Sequence, residues 1–259
     1  MVHRILIVTA VAAEADSVTA GLGAGALDDA GTLRLPGGFV LRRHTGGSRD
    51  TVGTGRVRAD VLVGGVGPAA VAAATGTALA CASSDDAAGR GPYDLVVSAG
   101  IAGGFQPVAP VGSVVVSGSV VAADLGAQTP DGYLTVEELG FGRSAHTVPE
   151  ALTGAVAAAL GAGGLAHTVG PVLTVSTVTG TAGRAAELAK RHPGAAAEAM
   201  EGFGVAEAAA AYGVPVVEIR AVSNAVGPRD RAAWRIGQAL DALRHSFELL
   251  SRTVFVEPS

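Results

Sequence analysis

Short apolar runs rich in valine and isoleucine recur along the chain, separated by alanine-rich stretches. The runs are Arg4–Thr9, Phe39–His44, Val61–Gly65, Asp94–Ala99, Gly112–Ala122, Pro171–Thr177 and Val214–Val222. Each has the length of a strand, and several are continuously apolar, as strands covered on both faces are. Between them lie Ala12–Leu22, Ala69–Ala82, Pro149–Leu160, Ala182–Arg191, Gly202–Tyr212 and Arg229–Arg252, which predict helices. The alternation predicts an α/β fold with a largely parallel sheet and helices on both faces.

Two stretches invite other readings. Met1–Ala13 carries Arg4, an apolar run and an Ala-Val-Ala-Ala end, as a secretory signal does. The unit is short for a signal, and Ile-Leu-Ile-Val matches a buried parallel strand, which is the reading adopted. Leu95–Ala123 holds no charge and is long enough to suggest a membrane span. Pro107, Pro110 and five glycines interrupt it, so two strands joined by a loop are expected, and no transmembrane helix. Gly23–Asp50, dense in glycine and polar residues, predicts an irregular or hairpin segment within a single domain spanning residues 1–259. Ser83–Gly91 predicts a polar connector.

Composition narrows the classes. A hydrophobic content of 49% and a charged content of 16% exclude a disordered chain. A net charge of -5 argues against nucleic-acid binding. The single cysteine, Cys81, excludes an internal disulfide framework and a multi-cysteine zinc site, and makes a cytoplasmic setting the default. Of the six histidines, His44, His146, His167 and His192 are expected at the surface or in loops. No histidine pair has the close helical spacing of a metal site, so no metal is expected.

In an open α/β sheet ligands sit beyond the carboxyl ends of the strands, so polar residues just after strands deserve scrutiny. Glu14 follows the first strand; in the first turn of a helix it also complements the helix dipole. Gly64-Gly-Val-Gly-Pro68 follows the third and offers a glycine loop before a helix. It is no dinucleotide motif, since Ala70 takes the place of the last glycine and only Asp85 or Asp86, in a polar loop, could serve as the acidic residue. Ser98–Phe105 is expected as a small-residue turn after the fourth strand, where Ala102 and Gly103 would let a ligand lie against backbone. Met200-Glu201-Gly202 precedes a helix, and its carboxylate suits either the helix start or a ribose hydroxyl. Arg220-Ala-Val-Ser-Asn224 ends the last strand. Arg229-Asp230 is expected as a surface ion pair and Trp234 as core.

In this order and spacing, the start ending at Glu14, Val97–Phe105 followed by Val111–Val116, Met200-Glu201 and Arg220–Asn224 together resemble the nucleoside phosphorylase/nucleosidase superfamily. The resemblance implies a three-layer α/β/α domain around a twisted, mixed, mostly parallel sheet. It implies a hydrolase acting on an N-glycosidic bond, because Thr9–Ala13 lacks the Gly-Asp-Pro-like phosphate loop of the phosphorylases. Glu14 would handle the attacking water, while Met200 and Glu201 would hold the ribose. Asn224 stands where adenine-specific members carry aspartate. An amide NH2 suits the O6 acceptor of a 6-oxopurine and finds no acceptor on an adenine amino group, whereas the reversed amide could serve adenine, so the residue sets a preference for the 6-oxopurine. Ser223 would orient Asn224, and Ala102-Gly103 would lie along base or ribose. The branch resembled most acts on a hypoxanthine nucleoside with an aromatic carboxylate at its 5′ end, for which Arg229 is the candidate partner. Val178 falls where some members place a base-stacking aromatic, leaving Phe105 or Phe203 for that role. The resemblance implies no cofactor, a small-molecule nucleoside as the partner, no nucleic acid, no membrane, and a homo-oligomer of at least two chains. The alternatives are a 6-oxopurine nucleoside phosphorylase, a methylthioadenosine/S-adenosylhomocysteine nucleosidase and, from another class, a non-catalytic nucleoside-binding protein.

Overall fold

The computed structural model of the chain describes residues 2–46, 56–83 and 92–256. Its centre is β1 (Val2–Thr9), whose residues Ile5 to Val8 are at most 1% exposed. Burial of successive residues means that both faces of the strand are covered, which explains the unbroken apolar run. β4 (Arg56–Val63) and β5 (Leu95–Gly104) flank β1, both parallel to it. On the outer side of β4 lies the antiparallel hairpin of β2 (Asp28–Arg34) and β3 (Val40–Gly46). Half of the Gly23–Asp50 segment is therefore sheet, as the expected hairpin; its last four residues, and residues 84–91 of the expected connector with Asp85 and Asp86, lie outside the described residues.

Beyond β5 the sheet curls. β5 is parallel to β12 (Val216–Ala225), and β12 is antiparallel to β6 (Val114–Ala122). β6 is parallel to β10 (His167–Thr174), and β10 to β11 (Ala197–Ala199). β11 then pairs antiparallel with the end of β5, closing a five-strand ring. A short strand, β9 (Ala145–Thr147), adds to β6, and β7 (Gly126–Thr129) with β8 (Gly132–Thr135) forms a separate hairpin.

Among the described residues six α-helices complete the fold: α1 (Ala12–Ala24), α2 (Pro68–Ser83), α3 (Glu150–Ala162), α4 (Ala182–Arg191), α5 (Gly202–Ala211) and α6 (Ile236–Arg252). α1 packs on α6 and α2 on α5. Both contacts need glycine: a Cβ on Gly21 would stand 2.2 Å from the Arg244 carbonyl oxygen, and one on Gly204 2.1 Å from that of Pro68.

Three expectations change. Ser98–Phe105 is not a turn, because β5 continues to Gly104 with β12 on one side and β11 on the other. His44 is buried in β3, 2% exposed, because its side of the hairpin faces the core. The final helix starts only at Ile236: Pro228 and a 3-10 turn over Arg231–Ala233 precede it, and the Asp230 carboxylate accepts from Ala232 N at 3.1 Å. Arg229 lies over the half-buried Trp234, 5.5 Å from the ring centre.

Candidate active site

The carboxyl ends of β1, β5 and β12 and the start of α5 converge at one edge of the sheet. A cleft of about 720 Å³ opens at the other end, lined by His3, Asp94, Leu95, Pro215 and alanines of α3. That cleft sits at the amino ends of the strands and gathers few polar groups, so the chemistry is sought at the carboxyl edge.

Glu14 occupies the first turn of α1 and is 4% exposed. Three backbone N–H groups hold its carboxylate. Oε2 accepts from Ala10 at 3.0 Å and Val11 at 3.3 Å, and Oε1 from Ile101 at 2.9 Å. Glu201, at the N-terminus of α5, is 5% exposed. Its Oε1 accepts from Gly67 N at 3.2 Å and its Oε2 from its neighbour Met200 N at 3.3 Å. The glycine loop after β4 therefore serves Glu201. Gly67, with φ of 91°, is in the left-handed region where a side chain would be strained.

One residue that the sequence offered only as part of a strand end pairs with Glu201 and stands beside Glu14. Arg220 is 1% exposed within β12. Its Nη2 lies 3.2 Å from Glu201 Oε2 and donates to Ser98 Oγ at 3.2 Å. Its Nη1 and Glu14 Oε1 would each lie 2.5 Å from a Cβ on Gly100, so Gly100 leaves the gap that both groups fill. Its Nε donates to Glu218 Oε1 at 2.7 Å. Burial opposes the guanidinium charge, but Glu218, Glu201 and Glu14 outweigh it and raise the arginine above its ordinary pKa. Burial pushes the Glu218 carboxyl up, with Arg220 acting against it. No signal in the sequence singles out Glu218, which reads as an interruption of an apolar strand.

A second group of residues meets at Gly103. The register of β12 on β5 shifts between Val222 and Asn224, so Val222 pairs with Ala102 and Asn224 with Gly103. This bulge turns Asn224 to the face opposite Arg220, as bulges re-aim side chains. Asn224 Nδ2 lies 3.3 Å from where a Gly103 Cβ would be. Ser223 Oγ lies 2.8 Å from Asn224 Oδ1, and Asn224 Nδ2 donates to Ala225 O at 2.9 Å. Reversing the amide would set two acceptors against each other at Ala225, so Ser223 donates to Oδ1 and the NH2 keeps one free hydrogen. Met200, Gly103 and Asn224 are half-buried, and Ala102 is buried.

Arg229 stands apart, exposed beside Gly180 and Trp234. Phe105 is buried in a cluster with Val121, Leu173 and Leu188, and Phe203 packs on the ring of His146. Neither presents an open face, whereas Val178 is 43% exposed. The buried Glu198 binds Thr179 through both its backbone N–H, at 2.8 Å, and its hydroxyl, and so fastens the loop that carries Val178 to β11. No group of three or more histidine, cysteine, aspartate or glutamate side chains among the described residues could hold a metal ion. No helix among them is long and apolar enough to cross a membrane.

Residues 18–254 match the family model described as the phosphorylase superfamily. A futalosine hydrolase of Streptomyces coelicolor is 57% identical over 240 residues, covering 93% of this chain and 92% of the relative. One from Acidothermus cellulolyticus is 46% identical over 245 residues, 95% of this chain and 89% of that protein. A solved structure of a futalosine hydrolase mutant of Helicobacter pylori superposes with a TM-score of 0.73 at 17% identity, covering 96% and 98% of the two chains. At that identity the superposition speaks for the fold alone.

Proposed function

The chain belongs to the phosphorylase superfamily and, within it, to the futalosine hydrolases, and on that premise we propose that it hydrolyses futalosine. The products are hypoxanthine and dehypoxanthinyl futalosine, and the reaction belongs to menaquinone biosynthesis by the futalosine route. The observation that carries the reading is the pair of buried carboxylates at the carboxyl edge of the sheet, Glu201 paired with Arg220 and Glu14 beside the same arginine across Gly100. That arginine is taken up by carboxylates, which would repel a phosphate dianion. The arrangement therefore favours water over phosphate as nucleophile.

The reaction passes through an oxocarbenium-like sugar. Glu14, held by three N–H groups, takes a proton from water as its oxygen bonds to C1′. The C1′–N9 bond breaks and its electrons leave with the base. Glu201 binds the ribose hydroxyls, its charge favours the cationic sugar, and Met200 packs beneath. The free hydrogen of the Asn224 amide meets O6 or N7 of hypoxanthine, and Ser223 fixes the amide in that sense. An amide has no titrating proton to give, so the base takes its proton by way of water. Ala102-Gly103 supplies the flat backbone against which base or ribose lies. Arg229 reaches the 5′ carboxylate; its replacement by glutamate should impair futalosine far more than inosine, and equal losses would remove it from this role.

The enzyme acts on a free nucleoside in the cytoplasm as a homo-oligomer of at least two chains. Light scattering after size exclusion tests the assembly. Chromatography of reactions with futalosine, inosine and methylthioadenosine, each with and without phosphate, tests the function. Hypoxanthine from futalosine without phosphate is expected. Ribose 1-phosphate-type products would mark a phosphorylase, adenine release a methylthioadenosine-type enzyme, and binding without turnover a non-catalytic protein.

A further inference from the structure

Glu218 has no part in the reaction just described. It is fully buried in β12, two residues before Arg220, so both side chains share one face of the strand. Its Oε1 takes the Arg220 Nε–H, while its Oε2 has no hydrogen-bond partner among the described residues. Gly202 closes over it: a Cβ there would stand 2.0 Å from Oε2. A carboxylate so enclosed is costly unless an opposite charge faces it. The charged groups that face it are Arg220 from β12 and Glu201 from the start of α5; Glu14 from α1 faces the arginine. β5 and β6 contribute the hydroxyls of Ser98 and Ser117, the first accepting from Arg220 and the second from the Glu218 backbone N–H. One guanidinium thus lies among three carboxylates, two of them at the reacting edge.

We propose that Glu218 is a positioning residue for Arg220: it fixes the guanidinium by its Nε edge and draws part of its charge away from Glu14 and Glu201. This rests on the hydrolase reading, in which Glu14 must accept a proton and Glu201 must stay negative towards the sugar. An arginine facing a carboxylate holds its proton affinity down. A second, buried carboxylate behind the arginine offsets that effect. The arginine can then pair with Glu201 and stand beside Glu14 without disarming the base.

The test is Glu218→Gln, which keeps an acceptor for Nε–H and removes the charge. Its acid limb of kcat/KM for futalosine should move to lower pH by about one unit, with kcat lowered about tenfold. KM should change little. A limb that stays in place or moves to higher pH, with kcat reduced equally at every pH, would overturn the proposal in favour of a merely structural role. Glu218→Asp keeps the charge and should lower kcat without moving the limb, and a shift there would also count against it. Carbon-13 NMR titration of glutamate carboxyl groups, in the ligand-free wild type and the Gln variant, gives a readout independent of turnover. Two site carboxyls should titrate lower in the variant, and unchanged midpoints would overturn the inference. Absence of hypoxanthine release by the wild type would instead overturn the hydrolase reading.

Discussion

Gly100→Ala places one carbon where the two halves of the candidate site meet. The backbone there is extended strand rather than left-handed, so alanine is tolerated by the main chain and the perturbation is the methyl group alone. That methyl would lie 2.5 Å from both Arg220 Nη1 and Glu14 Oε1. Real Cβ atoms do not come closer than 3.0 Å, so each group must retreat by at least about 0.5 Å. Neither can do so freely. Glu14 is held by Ala10, Val11 and Ile101, and Arg220 by Glu218 and Ser98. Overpacking of this kind costs about 1–3 kcal/mol, or roughly 2–4 °C of Tm per kcal/mol in a chain of this size. Displacement of a catalytic group by a fraction of an ångström to 1 Å reduces turnover by up to about 10²-fold. Steady-state assay of futalosine cleavage and a thermal melt measure the two effects. Gly76→Ala in α2 is the control: nothing lies within 4 Å of its Cβ, and removing a mid-helix glycine should stabilise by about 0.5–1 kcal/mol. If Gly100→Ala kept near-normal kcat, the placement of Glu14 and Arg220 around Gly100 would not be part of the reacting geometry.

Other perturbations address the remaining groups. Glu14→Gln should lower kcat by about 10²–10⁴-fold with a modest change in KM. Because every oxygen of Glu14 accepts from an N–H, the new NH2 must face a donor and cost about 1–3 kcal/mol of stability. A turnover near that of the wild type in single-turnover assays would remove Glu14 as the base. Asn224→Asp should move the ratio of kcat/KM for 6-oxo over 6-amino substrates towards the amino form, and an unchanged ratio would refute the role of the amide. Burial holds the imidazole of His44 below its ordinary value of 6.5, and burial followed by Arg191 does the same for His192. The unfolded chain takes up those protons near pH 6.5, so this part of the stability is complete above that pH and is lost as pH falls below it. Glu198 and Glu218, raised by burial, act with the opposite sign from their raised values down towards 4.5. Replacing His44 by glutamine isolates the histidine part: between pH 7.5 and 5.5 the variant should lose less Tm than the wild type, and equal slopes would refute it.

The elements legible in the sequence were those whose pattern is local. β1 shows itself as an unbroken apolar run, and α4 was bounded at Ala182 and Arg191 as observed. Glu14 and Glu201 were legible from their places after a strand and before a helix. What escaped is made by distant partners. β2 is exposed at six of its seven positions and is a strand because β3 pairs with it. β11 has three residues, too few for any period, and exists between β10 and β5. Arg220 and Glu218 stand in an apolar strand where a charged residue has no local meaning. Only the fold, by bringing α5 against β12 and Glu14 of α1 to Gly100 on the neighbouring strand β5, gives them their partners. The turn expected over Ser98–Phe105 failed for the same reason: its small residues admit close neighbours, and the neighbours are strands.

The ring closed by β11 has a consequence for how the molecule breathes. Its seam is short: Ala197 pairs with Gly104 and Glu198 with Gly103, whereas β5 and β12 share nine paired positions. Local opening starts where few contacts must be broken together. The seam lies beside the glycine step that faces Asn224, so this protein should admit water and base through the same stitch. Amide exchange at Phe105 and along Ala197–Ala199 would then be fast in the empty protein and slow once hypoxanthine fills the slot.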